Sequence, residues 1–293
     1  MQEHPTDNSS PLAHSPVISI VIAVRNSANT LRQCLDSVLS QQGATVEVVV
    51  IDGGSTDGGI DILHEYGSRI AYWESGKDDG IYDAWNKGLR SVKGEWVCFL
   101  GADDFLAADD CCARAISNLQ RLPASTLIAY GKAKLISATD EELQILGLPW
   151  HQAKRRLPSL MSLPNPAVLY RYTAFECFGP FDKSFRIAGD HEMLIRILKH
   201  GEAHFMPDVI FSVMRVGGVS SNPENSLRAL AECHMARKKN GYRLPGFYWL
   251  VASAKTLLRM ALWRTLGEGR TRKLLDGLRS IVGLPKYWQS TSK

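Results

Sequence analysis

EVVVIDGGSTDGG, residues 47–59, is the stretch that decides the fold. Glu47 to Ile51 is an apolar run of strand length, and the chain then stops at an acid, two glycines and several small polar residues. An unbroken apolar run marks a strand covered on both faces, whereas a strand with one face in water alternates. The same grammar stands on either side. VISIVIAV (17–24) comes before it, and EWVCFLGADD (95–104) follows and again closes on acids. A weaker third strand is expected at Ile70 to Trp73.

Between these strands the apolar residues recur at helical spacing. Leu31, Cys34, Leu35, Val38 and Leu39 predict a helix capped by Asn29. Further helices are expected at Ile60 to Tyr66, Ile81 to Val92 and about Asp109 to Leu122. Strands alternating with helices imply an α/β fold, with a Rossmann-like, mainly parallel sheet flanked by helices. In such sheets ligands sit outside the carboxyl ends of the strands, and Asp52 and Asp103-Asp104 both fall there. Beyond Pro123 the pattern loosens. A strand is expected within Thr126 to Ile136, then a long connection from Leu143 to Pro164 carrying Trp150, His151 and Lys154-Arg155-Arg156. An amphipathic helix follows at Asp190 to His200, one or two strands at His204 to Met214, and helices from Glu224 to Val282.

Charge divides the chain. The 293 residues carry a net +4. From Arg237 onward thirteen Lys/Arg face only Glu268 and Asp276, which makes +11 and leaves −7 for residues 1–236. An acidic body excludes a nucleic-acid binder, whose surface must be basic. The six cysteines (34, 98, 111, 112, 177, 233) show no metal-ligand spacing, so reduced thiols in a cytoplasmic protein are expected. Met1 to Pro16 reads as a polar, disordered leader without an apolar signal segment. No run of about eighteen apolar residues predicts a membrane span.

Three constellations carry chemistry. Asp103-Asp104 at a strand end can hold a hard divalent cation, or simply form an acidic turn before a helix. In Asp52-Gly53-Gly54-Ser55-Thr56-Asp57 the glycines allow backbone to approach a ligand, and Asp52 can accept from a base imide; a plain polar turn reads equally well. The turn is not GxGxxG and has no Walker lysine, which argues against dehydrogenases and P-loop NTPases. In DDGIYDAWNKG (78–88), Lys87 is placed to offset diphosphate charge, unless it only decorates a solvated helix face.

Taken together, SIVIAVRN (19–26), VVVIDGGSTDGG (48–59), DDGIYDAWNKG (78–88), GEWVCFLGADD (94–104) and FDKSFRIAGDHEML (181–194) resemble glycosyltransferase family 2, particularly bacterial members that build surface polysaccharides or glycolipids. The resemblance covers about residues 17–220. It implies a GT-A fold over 17–222, with a donor half (17–122) and an acceptor half (123–222), followed by a basic, mostly helical extension (223–293). It implies an inverting transfer from a UDP- or GDP-sugar to a saccharide or lipid-linked hydroxyl, with Mg²⁺ or Mn²⁺. By position, Asp52 would contact the base, with Ala23, Val24 and Arg25 lining its pocket and Asp78 as a donor-pocket acid. Asp103 would touch ribose, Asp104 would ligate the metal and Asp190 would be the catalytic base. Arg215, before Gly217-Gly218, would reach the diphosphate. Gly101 replaces a common family Asp or Asn, and no His stands near Pro164-Asn165-Pro166.

Inversion needs a base on one side of the anomeric carbon and charge stabilisation on the other. Asp190 opens a helix, whose N-terminus favours the anion. Its neighbour His191 reads as an acceptor contact or a surface residue. In the tail, Phe247, Leu250, Val251, Ala254, Leu257, Leu258, Ala261 and Leu262 form a stripe, with Trp249, Trp263, Tyr287 and Trp288 as aromatics. Such a segment either lies on an anionic membrane or packs on the body. The remaining alternatives are a sugar-nucleotide nucleotidyltransferase, which needs a basic Gly-rich loop absent after Val24, and a binding module, which needs no base.

Overall fold

The computed structural model describes residues 17–216, 225–281 and 283. Strands β1 (Ile18–Val24), β2 (Val46–Asp52), β3 (Tyr72–Ser75) and β4 (Trp96–Gly101) lie parallel in the order β3-β2-β1-β4. Ile18, Ile20, Val21 and Ile22 of β1 have no exposed surface, as the unbroken run requires. Helices α1 (Ala28–Leu39), α2 (Gly59–Tyr66) and α4 (Cys111–Leu119) cover one face. On the other lie α3 (Ile81–Leu89), α6 (Tyr172–Phe178) and α7 (Gly189–Leu198).

The parallel pattern ends at β4. There β8 (Val168–Arg171) joins antiparallel, and β6 (Ile128–Ile136) pairs antiparallel with β8. The long β9 (Ala203–Arg215) runs parallel to β6; β5 (Phe105–Leu106) pairs antiparallel with β9 at the far edge, and β7 (Glu142–Leu146) pairs antiparallel with β6. Among the described residues the nine-stranded sheet is therefore parallel from β3 to β4 and mixed beyond.

Local differences have physical causes. Helix α1 begins at Ala28 rather than after Asn29, because the Asp57 carboxylate accepts the Ala28 N–H (2.8 Å) from across the turn. The stretch from Leu143 is not an open connection: it finishes β7 and then forms α5 (Trp150–Arg156), anchored by buried Ala153. In the tail, α8 (Ser226–Lys239) is built into the core through Leu230, Cys233 and Ala236, whereas α9 (Phe247–Leu266) has no buried residue and α10 (Glu268–Ile281) packs on α9. Among the described residues no helix is long and apolar enough to cross a membrane. The leader (1–16), Gly217 to Ser220, Tyr287 and Trp288 lie outside the described residues.

Candidate functional site

The four parallel strands bring Ala23-Val24-Arg25, Asp52-Gly53, Ser75 to Asp78 and Gly101 to Asp104 to one edge. Register pairs Val24 with Asp52 and Ala23 with Gly101, and the Gly53 N–H donates to the Val24 carbonyl (2.8 Å). Asp52 is wholly buried. Its carboxylate accepts the Gly54 and Ser55 N–H groups (both 3.0 Å), the Ser75 hydroxyl (2.6 Å) and the Ser55 hydroxyl. Oδ2 accepts three of these bonds and Oδ1 one, so Asp52 braces the turn while Oδ1 keeps one of its lone-pair sites.

Asp78 takes the nearby space. A Cβ at position 53 would strike its carboxylate, so glycine is what admits it. The Asp78 side chain is 5% exposed, accepts the Gly80 N–H (3.0 Å) and faces the exposed Arg25 guanidinium at 3.9 Å. Asp57 binds the first N–H groups of two helices, Ala28 (2.8 Å) and Gly59 (3.1 Å), and these bonds hold its carboxyl below the ordinary range. Lys87 donates to the Lys77 carbonyl (3.1 Å) and pairs with Asp83 (3.7 Å); like Ala23, Val24, Arg25, Asp52 and Asp78, it is absent from the wall of the neighbouring cavity. Its amine secures the loop before α3.

A cavity of about 820 Å³ opens beside this edge, of a size that suits a sugar nucleotide. Its wall brings together Asp103 and Asp104 from the donor half with Asp190 and Arg215 from the acceptor half. Asp103 folds over Gly101, where a Cβ would lie 2.6 Å from its Oδ1. The glycine that the family pattern lacks thus gives Asp103 its position. Burial, then the Asp103 charge, pushes the Asp104 carboxyl well above its ordinary value, against the pull of backbone N–H groups and Arg215. Two crowded carboxylates gain from a cation between them. Mg²⁺ and Mn²⁺ commonly bind one or two carboxylates and complete their shells with phosphates and water. No group of three or more His, Cys, Asp or Glu suited to a metal occurs among the described residues, and the Asp103-Asp104 pair supplies the one or two carboxylates that such a cation takes.

Asp190 stands in the first turn of α7. Its Oδ1 accepts the Tyr82 hydroxyl (3.1 Å) and the His191 N–H (2.8 Å). Burial raises its carboxyl to about 6, with the Glu232 charge adding to the rise. The helix terminus was expected to keep this acid low, and burial outweighs it. The carboxylate still stays mainly ionised at neutral pH, close to the range where a general base works best. Tyr82 also lies 2.7 Å from the Ile187 carbonyl, and Gly189 leaves room for its ring, since a Cβ there would come within 2.7 Å.

Glu232, from α8, was not legible as a site residue. One carboxylate oxygen accepts three successive N–H groups, those of Arg186 (3.0 Å), Ile187 (2.7 Å) and Ala188 (2.9 Å), directly ahead of Asp190. His191 is not a surface residue: it is fully buried, its Nε2 lies 2.6 Å from the Leu157 carbonyl, and burial lowers it to about 4. The ring is neutral, with Nε2–H donating and Nδ1 left unpartnered. The Trp85 N–H is also unpartnered; both residues contribute to the cavity wall, with these two nitrogens buried behind it. Arg215 donates to Gln33 (2.8 Å) and Asp140 and lies over Phe105. Arg156 and Arg186, which sequence reasoning did not single out as site residues, join it on the wall. The wall also carries the apolar side chains of Leu135, Ile145, Leu148, Met161 and Met214.

Residues 19–175 match the family model described as Glycosyl transferase family 2. The chain is 32% identical over 215 residues to a PGL/p-HBAD biosynthesis glycosyltransferase of Mycobacterium bovis, covering 71% of this chain and 80% of that one. Among solved structures it resembles S. aureus TarS 1-349 in complex with UDP-GlcNAc (TM-score 0.59, 17% identity, 82% of this chain and 71% of that chain). It spans 42% of a longer TarS chain. It also resembles the mannosyltransferase PcManGT of Pyrobaculum calidifontis in complex with GDP-Man and Mn2+ (TM-score 0.59, 18% identity, 99% of this chain and 87% of that chain).

Proposed function

Because the chain belongs to glycosyltransferase family 2, we propose that it moves a sugar, with inversion, from a nucleoside-diphosphate sugar to a hydroxyl of a lipid-linked or saccharide acceptor. The observation that carries this reading is one cavity whose wall includes Asp103 and Asp104 from the donor half and Asp190 from the acceptor half. In this reading the nucleotide lies over the strand ends, with Asp78 and Arg25 beside the base, Asp103 at the ribose and Arg215 at the diphosphate. Asp103 and Asp104 would hold Mg²⁺ or Mn²⁺, which when bound with the diphosphate shields the charge that builds on departure.

Asp190 takes the proton of the acceptor hydroxyl as its oxygen attacks the anomeric carbon from the face opposite the diphosphate. Tyr82 and the loop held by Glu232 keep that carboxylate in place, and positioning of this kind is a main source of rate. The apolar wall supports an acceptor with a lipid or other apolar aglycone, as does the relative named for PGL/p-HBAD biosynthesis. The free thiols support a cytoplasmic setting, where a donor nucleotide would be met.

A panel of UDP- and GDP-sugars with Mn²⁺ tests the reading, scored first by thermal shift and then by release of nucleoside diphosphate. Stabilisation and release by one donor class are expected. No stabilisation by any nucleotide sugar would remove the donor assignment.

A further inference from the structure

Helix α9 is mounted the opposite way from an ordinary surface helix. Its apolar stripe faces outward: Phe247, Leu250, Leu257 and Leu258 are 72%, 51%, 58% and 62% exposed. Its other side meets α8, where Trp249 donates to the Leu230 carbonyl (2.7 Å) and Arg259 to the Ser226 hydroxyl (2.9 Å). A surface helix in water turns its polar side out, and a contiguous apolar face left exposed marks an interaction site. Neighbouring α10 repeats the pattern with exposed Leu274, Leu278 and Ile281.

The charges say what covers this face. At helical spacing, exposed Lys255 and Arg264 fall on the two borders of the α9 stripe. From Arg237 to Ile281, eleven Lys/Arg stand against Glu268 and Asp276. A second copy of the chain would press one +9 segment on another, so the partner must be apolar within and anionic around. We propose that the α9–α10 face docks on an anionic lipid bilayer, with the leucine stripe at the acyl boundary and the cations among headgroup phosphates.

The place of α8 gives the docking a purpose. Its Ala229 and Cys233 wall the cavity, while its Ser226 and Leu230 hold α9. The bilayer then lies about two helix diameters, roughly 20 Å, from the part of the cavity wall that α8 forms. The proposal deepens the lipid-linked acceptor reading, but vesicle binding is measured without substrate, so either can fail alone.

The test is co-sedimentation of the full chain with phosphatidylcholine vesicles, with and without phosphatidylglycerol, across a salt series. Retention only with phosphatidylglycerol, weakening as salt rises, is expected. Lys255→Gln with Arg264→Gln is expected to weaken binding about fivefold per cation, and Leu257→Glu with Leu258→Glu to abolish it. Donor hydrolysis should be unchanged in both variants, which shows that they fold. Equal retention on both lipids, full retention by the glutamate variant, or no retention at all overturns the proposal. So does a dimer, seen by light scattering, that the glutamate variant splits.

Discussion

Asp190→Asn makes the most searching perturbation, because the structure gives it opposite effects on stability and on turnover. Burial lifts this carboxyl from its ordinary 3.8 to about 6. Between those values the unfolded chain has released its proton while the folded chain still holds it, so stability falls as pH rises through that window. Above it the full penalty applies; below it none does. At about 1.4 kcal/mol per pKa unit the penalty is at most roughly 3 kcal/mol. Asparagine keeps an oxygen for Tyr82 and the His191 N–H but carries no charge. The variant is therefore expected to melt several degrees higher than the parent at pH 8, at roughly 2–4 °C per kcal/mol for chains of comparable size, and at nearly the same temperature at pH 4. Turnover should fall about 10²- to 10⁴-fold, as for loss of a general base, while calorimetric donor affinity is kept. A variant no more stable than the parent at pH 8 would refute burial as the cause of the raised value, and near-normal turnover would exclude Asp190 as the base.

Glu232→Gln replaces a charged acceptor of three N–H groups with a neutral one. At about 1 kcal/mol of difference per bond it should lower stability by roughly 2–3 kcal/mol. It should also reduce kcat with donor KM held and move the acidic limb of the pH–rate profile downward, since the Glu232 charge raises Asp190; an unmoved limb limits Glu232 to loop support. Gly189→Ala forces a Cβ to within 2.7 Å of the Tyr82 ring and should destabilise by about 1–3 kcal/mol in a denaturant melt; no loss would mean the ring yields freely. Asp104→Asn should remove the Mn²⁺ dependence of nucleotide binding measured by calorimetry, and an undiminished dependence would move the metal contact elsewhere.

The donor half was readable because parallel strands buried on both faces write themselves as apolar runs, as in β1, β2 and β4. Their ends were readable too, since acids and glycines there interrupt the runs. The four-residue β8 and two-residue β5 leave no such trace, being recruited by pairing with longer neighbours. The largely exposed strand β7 reads as part of a connection for a similar reason. Glu232 could not be found from spacing: it lies 42 residues beyond Asp190 in a segment patterned as a basic helix, and only packing of α8 on α7 brings its carboxylate under the loop. The stripe of α9 was visible as a periodicity, but periodicity does not say which way a face points. The aromatic and arginine anchors on its other side decide that.

The contact between Gly53 and Asp78 has an evolutionary corollary. One small volume beside the β2 turn is filled by a carboxylate reaching across from the loop after β3, and it admits only one tenant. A lineage that gained a side chain at 53 would have to surrender or reorient the acid at 78, so substitutions at the two positions should be found in pairs. An alignment of homologues in which bulky residues at 53 coexist freely with aspartate at 78 would show that the turn can make room for both.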